Sequence, residues 1–205
     1  MIKKKIFFFL LLVFIGNNSE AKQIANNILI SIDNSIITDA DINKEINFLK
    51  FLEKNDVKNK NEILTQIAAQ NLIDRKIKDK ETDFYKIKIS EKELEDKFYN
   101  YLESMKIRNE ELNSFFNKNE IEKDYLRKII NTEIKWSKLI SQLYENKLNV
   151  NLTEIEKRSE VQSITNENSD KLKNQLIISE KNLLLNKYAS IHLEKSKKKY
   201  LIKFL

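Results

Sequence analysis

The side chains that could carry out chemistry in this chain are few. His192 is the single histidine, and there is no cysteine. A hydrolase dyad would have to use His192 as its base, and no nucleophile motif accompanies it. A metal centre needs clustered Cys, His or carboxylates, and His192 has no partner of its type. It reads as an ordinary helix residue. The acidic pair Glu110-Glu111 reads as a helix start, where the dipole favours negative charge. A phosphate-cradling loop needs glycines, and the chain has one, Gly16, near its start. No catalytic residue, metal or cofactor is expected, and the chain reads as a binding protein rather than an enzyme.

What remains is aromatic and flexible apolar content. Phe98, Tyr101, Met105, Phe115, Phe116 and Trp136 fall in the middle of the chain. Rings offer large contact area with few rotatable bonds, and methionine adapts its shape to varied partners. These six are the candidate lining of a groove for apolar peptide segments. Packing in the core is the competing assignment. Tyr99 sits beside Phe98 and off the Leu94–Leu102 line, so one helical stripe cannot bury every ring.

The elements that position these residues begin with an export signal. Lys3, Lys4 and Lys5 precede an apolar run from Ile6 to Ile15, and Ser19-Glu20-Ala21 offers small residues at a cleavage site. Residues 1–21 read as a signal peptide, giving a periplasmic or secreted chain that starts at Lys22. The run is about half the roughly 20 apolar residues that span a bilayer. With no proline and no glycine after Gly16, tight turns are scarce and the fold must be mainly helical. The formal net charge is +6, but Lys and acids are mixed along the helices, as on a solvated surface. A nucleic-acid binder would gather its basic residues on one face, and none is expected as a partner.

Ile28, Ile30 and Ile32 alternate with Leu29, Ser31 and Asp33, a strand period. Asp33-Asn34-Ser35 reads as the turn and Ile36-Ile37 as the return strand. Thr38 caps a helix with Asp39 and Asp41 in its first turn, and Ile37 and Ile42 occupy the positions of a hydrophobic staple. That helix, Asp39 to Lys54, carries Ile42, Ile46, Leu49 and Leu52. After a polar loop at 55–60, a second helix from Glu62 to Lys80 carries Ile63, Ile67, Leu72, Ile73 and Ile77, with Ala68 and Ala69 permitting close approach. Tyr85, Ile87 and Ile89 form an extended link. Ser90 with Glu93 makes a capping box for a third helix to Met105, which shows Leu94, Phe98 and Leu102. A short helix from Asn109 to Phe116 and a long one from Glu120 to Leu148 follow. Thr153 with Glu156 suggests a further helix start. Arg158 to Asp170 is a polar link, and a last helix from Lys171 to Lys195 carries Leu172, Leu176, Leu183, Leu184, Tyr188 and Ile191. Tyr200, Ile202 and Phe204 alternate as a closing strand.

The hydrophobic hairpin running into an acidic helix start resembles the opening of the SurA-type periplasmic chaperones. The stretch IKISEKELEDKFYNYLESMKI resembles that family's third helix and its lead-in. The closing helix and strand resemble the family's C-terminal return to the hairpin. The resemblance spans about 28–157 and 172–205. It departs from the family at 158–171, where a parvulin-type prolyl isomerase domain would stand and only a short link exists. It implies a multi-helix chaperone domain over residues 22–157, a linker at 158–171, and a helix and strand at 172–205 that complete the same domain. A small sheet would join the two ends. The implied function is ATP-independent holding of unfolded envelope proteins, by analogy outer-membrane β-barrel precursors. The alternatives are a protein related to the isomerases, or a helical envelope adaptor without general chaperone activity.

Overall fold

The computed structural model describes residues 27–53, 61–108, 111–163 and 169–205. The expected signal segment, the loop at 55–60 and Asn109 lie outside the described residues. The fold is mainly helical with one three-stranded antiparallel sheet in the order β2-β1-β3. Strands β1 (Ile28–Ile32) and β2 (Ser35–Thr38) form the hairpin, and β3 (Ile202–Phe204) pairs with the other edge of β1. The two ends of the described chain thus share one sheet, as expected. The helices are α1 (Asp39–Glu53), α2 (Asn61–Phe84), α3 (Glu91–Ser104), α4 (Leu112–Lys118), α5 (Lys123–Tyr144), α6 (Leu152–Ser163) and α7 (Ser169–Lys197).

The hairpin turn is tighter than expected. Ile32 pairs with Ser35, so the turn is Asp33-Asn34 and Ser35 already belongs to the strand. Asp33 takes the left-handed backbone at φ 48°, a region Asp tolerates better than most residues. At the hairpin exit, Thr38 Oγ1 accepts from Asp41 N at 3.2 Å while Asp41 Oδ2 accepts from Thr38 N at 2.9 Å. This is a capping box with Asp in the Glu position. Ile37 and Ile42 are both buried in the same cluster, with Ile30, Ile32 and the α2 residues Ala68, Leu72, Ile73 and Ile77.

Three helices end without glycine at a position that glycine usually fills. Lys86, Lys106 and Glu120 have φ of 55°, 60° and 53°. Each is followed by an isoleucine whose N–H reaches back five residues: Ile87 to Thr82 O, Ile107 to Leu102 O and Ile121 to Phe116 O, at 2.9, 3.0 and 3.2 Å. The left-handed residue itself donates three residues back in each case. These are Schellman caps, with the hydrophobic residue after the left-handed one in its usual place.

Several helical faces lie one residue away from the expected stripe. In the first turns of α2 the buried residues are Leu64 and Ala68, while Ile63 and Ile67 are exposed; further along, Leu72, Ile73 and Ile77 are buried as expected. On α1, Glu45 and Phe48 are buried and Leu52 is exposed. On α7, Leu183 and Ile191 are exposed, and Leu185, Tyr188, Ala189 and Leu193 pack inward. The cause on α2 and α7 is partner geometry: one turn of either helix offers adjacent apolar residues, and the neighbour selects among them. Helix α2 also runs to Phe84 rather than Lys80, because Glu81 and Thr82 are themselves buried. The segment expected as a polar link from Arg158 begins inside a helix, since α6 continues to Ser163. Its cap is Asn151, whose Oδ1 accepts from Glu154 N at 3.1 Å, rather than Thr153.

Candidate functional site

The six candidate groove residues are not brought together. Phe98, Phe116 and Trp136 are buried, so none offers its face to a ligand while the core is closed. Phe98 and Phe116 stack at 6.5 Å in a cluster with Phe48, Leu102, Ile121 and Leu126. Tyr101 and Phe115 pack partly buried on its margin. Met105 follows the end of α3 and is partly buried. Trp136 lies in a different cluster, with Leu139, Ile140 and the α7 residues Leu185, Tyr188 and Leu193.

A groove does exist, with a different lining. Helices α3 and α5 enclose about 480 Å³, bordered by Phe48 of α1. From α5 come Leu126, Ile129, Ile130, Glu133, Ile134 and Ser137, an i, i+3, i+4 series that occupies one helical face. From α3 come Glu93, Lys97 and Tyr101, each four residues from the next. Of the six candidates only Tyr101 lines it. Ile129, Ile130 and Ile134 are half-buried, the state of side chains that pack on one side only. Ion pairs cross from one wall to the other. Lys138 Nζ meets Glu93 Oε2 at 2.6 Å, and Arg127 bridges Glu91 and Glu95. Burial raises the Tyr101 hydroxyl above its ordinary value. The volume lies in the range of ordinary ligand clefts, about 300–1,000 Å³. The sequence carried the signal for this groove. The isoleucines at 129, 130 and 134 and the α3 ladder at 93, 97 and 101 both follow helical spacing.

His192 is less ordinary than its isolation suggests. Its Nε2 lies 3.2 Å from Glu81 Oε2 and its Nδ1 lies 2.9 Å from the Tyr144 hydroxyl. A carboxylate only accepts, so Nε2 donates to Glu81, while Nδ1 shares a hydrogen bond with the Tyr144 hydroxyl. Rings of Trp136, Tyr144 and Tyr85 surround it, at 5.4, 5.8 and 6.5 Å. Glu81 is only 1% exposed and also accepts from Tyr200 Oη at 2.7 Å and from Lys199 Nζ at 2.9 Å. Burial pushes the Glu81 carboxyl up, but the bonds from Lys199, Tyr200 and His192 outweigh it and hold the group below the usual carboxylate value. Burial and the adjacent Glu81 push the Tyr200 hydroxyl well up. The cluster ties α2, α5, α7 and the approach to β3 together. Its members are satisfied by one another, which is the arrangement of a structural cross-tie rather than of a group poised to transfer a proton.

A second buried carboxylate, Glu45, joins α1 to α2 and α5. It pairs with Arg75 and accepts from Asn71 Nδ2 at 2.9 Å and from Tyr125 Oη at 2.5 Å. Burial pushes the Arg75 guanidinium down, yet the bond and charge of Glu45 together with Tyr125 outweigh this and raise it. Nearby, Asp79 is raised by burial, with the Thr132 hydroxyl at 2.6 Å opposing. No group of three or more potential metal ligands lies together among the described residues. No described helix is long and apolar enough to cross a membrane.

Compared with known protein families and with characterised proteins, the sequence matches none.

Proposed function

We propose that this protein is an ATP-independent holdase of the bacterial envelope, and that the α3–α5 groove holds apolar segments of unfolded envelope proteins. The observation that carries the reading is the groove itself. Its apolar floor lies half-buried in a cleft between two helices that ion pairs join, the concave, mostly apolar form that binding sites take. The SurA-like order of hairpin, helices and returning strand supports the same reading. Glu93, Lys97, Glu133 and Lys138 border the floor with both signs of charge. Such a border favours an apolar segment in the middle and is indifferent to its flanks, which suits varied clients. Occupying the groove shields the segment and competes with aggregation. The working site is the periplasm, and the clients are outer-membrane β-barrel precursors. No step of the reading requires catalysis, and a prolyl-peptide assay should show only the uncatalysed isomerisation, tens of seconds or more.

The test compares three variants in suppressing aggregation of an unfolded β-barrel protein. Ile134→Asp places a charge on the groove floor and touches neither core cluster. It should abolish suppression with little change in melting temperature. Tyr101→Ala should weaken suppression. Trp136→Ala should cost about 3–5 kcal/mol of stability, as core rings do, with suppression intact at temperatures where it stays folded. Suppression by Ile134→Asp at the level of the unaltered protein would remove the groove from the mechanism.

A further inference from the structure

The closing strand leaves a backbone edge open, and the register shows which groups face it. Ile202 stands opposite Ile32, Lys203 opposite Ser31 and Phe204 opposite Ile30. Asp33 N donates to Leu201 O at 3.0 Å, and Leu205 N donates to Leu29 O at 2.9 Å. In an antiparallel ladder those two bonds make Ile32–Ile202 and Ile30–Phe204 the non-hydrogen-bonded pairs. The N–H and C=O of Ile202 and Phe204 therefore point away from β1, and they meet no partner among the described residues.

The strand is held firmly. Leu201 N donates to Asp33 Oδ1 at 3.0 Å, and the neighbouring Tyr200 is tied to the buried Glu81. Its side chains divide by face. Ile202 and Phe204 lie on the face of Ile30 and Ile32, where Ile202 packs on the core while Phe204 is 74% exposed. Lys203 lies on the opposite face, and neither it nor Lys198 has a carboxylate partner among the described residues. The far edge of the sheet is less suited, because β2 runs straight into α1 at Asp39.

We propose that β3 takes up an extended segment of an unfolded partner as a fourth strand, one whose residues alternate apolar and acidic. The backbone groups of Ile202 and Phe204 call for an extended main chain. Ile202 and Phe204 call for apolar side chains beside them, and Lys203 calls for acidic ones on the other face. Alternation of apolar and polar residues is the pattern of β-barrel strands. The proposal rests on the holdase reading and adds a second contact, with the edge reading the strand and the groove taking an apolar segment.

The experiment uses the full chain and two labelled ten-residue peptides, one alternating Val and Glu and one with the same composition scrambled. Binding is read by fluorescence anisotropy. The alternating peptide should bind at least about tenfold tighter than the scrambled one, since only it fits both faces. Phe204→Pro should abolish this preference with melting temperature nearly unchanged, because the N–H it removes faces outward and proline is tolerated there. Phe204→Val keeps the N–H and should retain most of the binding. Lys203→Glu should weaken the Val/Glu peptide about fivefold and strengthen a Val/Lys one. Equal binding of alternating and scrambled peptides, or full binding by Phe204→Pro, would overturn the proposal. A dimer in sedimentation that Phe204→Pro dissolves would also overturn it, by giving the edge to a second copy. If Phe204→Pro still suppresses aggregation while Ile134→Asp does not, the edge proposal fails and the groove reading stands. If the unaltered protein suppresses nothing, the holdase reading fails and with it the edge as a client site.

Discussion

Glu45 and Glu81 are the same residue under nearly the same burial, each 1% exposed, and they are satisfied in different ways. Glu45 is met by a guanidinium that is itself mostly buried, plus an amide and a tyrosine. Glu81 is met by a histidine, a tyrosine and an ammonium whose side chain is half exposed. The difference lies in what is stranded if the carboxylate is lost. The Arg75 side chain is only 14% exposed and would keep most of its charge out of water. Lys199 needs only a change of rotamer. The cost of breaking a buried ion pair is set largely by the charge left behind.

The largest effect should therefore come from Glu45→Ala, about 3–5 kcal/mol in chemical denaturation, because Arg75 is left buried and unpaired. Glu81→Ala should cost less, about 1–3 kcal/mol, since what it strands is the His192 ring N–H and the Tyr200 hydroxyl. It should also speed exchange of the Leu201 and Leu205 amides, which bond to the hairpin and which Glu45→Ala should leave slow. A smaller cost for Glu45→Ala than for Glu81→Ala would show that the stranded charge does not decide the outcome.

Acidity separates a third carboxylate from Glu81. The folded-state value of Glu81 lies below its unfolded one, so its contribution is present above about 4.5 and is lost as pH falls through the folded value. Glu81→Gln should lower stability at neutral pH, with the gap to the unaltered protein closing in acid. Asp79 has the opposite sign. Its folded value lies above 3.8, so its stabilising contribution is complete below that pH and is lost as pH rises through the folded value. Asp79→Asn should raise the melting temperature at neutral pH and make no difference in strong acid. Parallel pH profiles for the two variants would contradict the assigned directions.

The smallest changes concern the helix ends. Lys86→Gly, Lys106→Gly and Glu120→Gly each relieve a left-handed residue that carries a Cβ. Each should gain on the order of 1 kcal/mol, measured one at a time by denaturation. A loss at any of them would mean that the side chain contributes more than its backbone costs.

Much of the local structure was legible. The staple at Ile37 and Ile42, the box at Ser90 and Glu93, and the alternation at Ile28–Ile32 and Tyr200–Phe204 are signals within a few residues. Local backbone physics acts over that range. Ser90 Oγ does accept from Glu93 N, at 3.2 Å. The Schellman caps at Lys86-Ile87, Lys106-Ile107 and Glu120-Ile121 were less legible, because without glycine the left-handed residue has no distinguishing side chain.

The groove was half legible and the cross-ties were not. Tyr101 was among the expected lining, and the isoleucines of α5 that form the floor follow helical spacing. Spacing could not say that Phe98 would close against Phe116 while Tyr99, its neighbour, stayed 39% exposed. Nor could it say that Trp136 would turn toward His192 rather than toward the other rings. The sequence by itself determined most of the elements, the caps at Thr38 and Ser90, and the joining of the two ends by strands that each need a neighbour. Only the tertiary structure decided which of two adjacent apolar residues faces inward, and which acids are buried. Glu81 meets His192 and Lys199 across more than a hundred residues of chain. A pairing at that distance leaves no periodicity behind. It is fixed by how the helices cross, since burial of a charge is tolerated only where partners already converge.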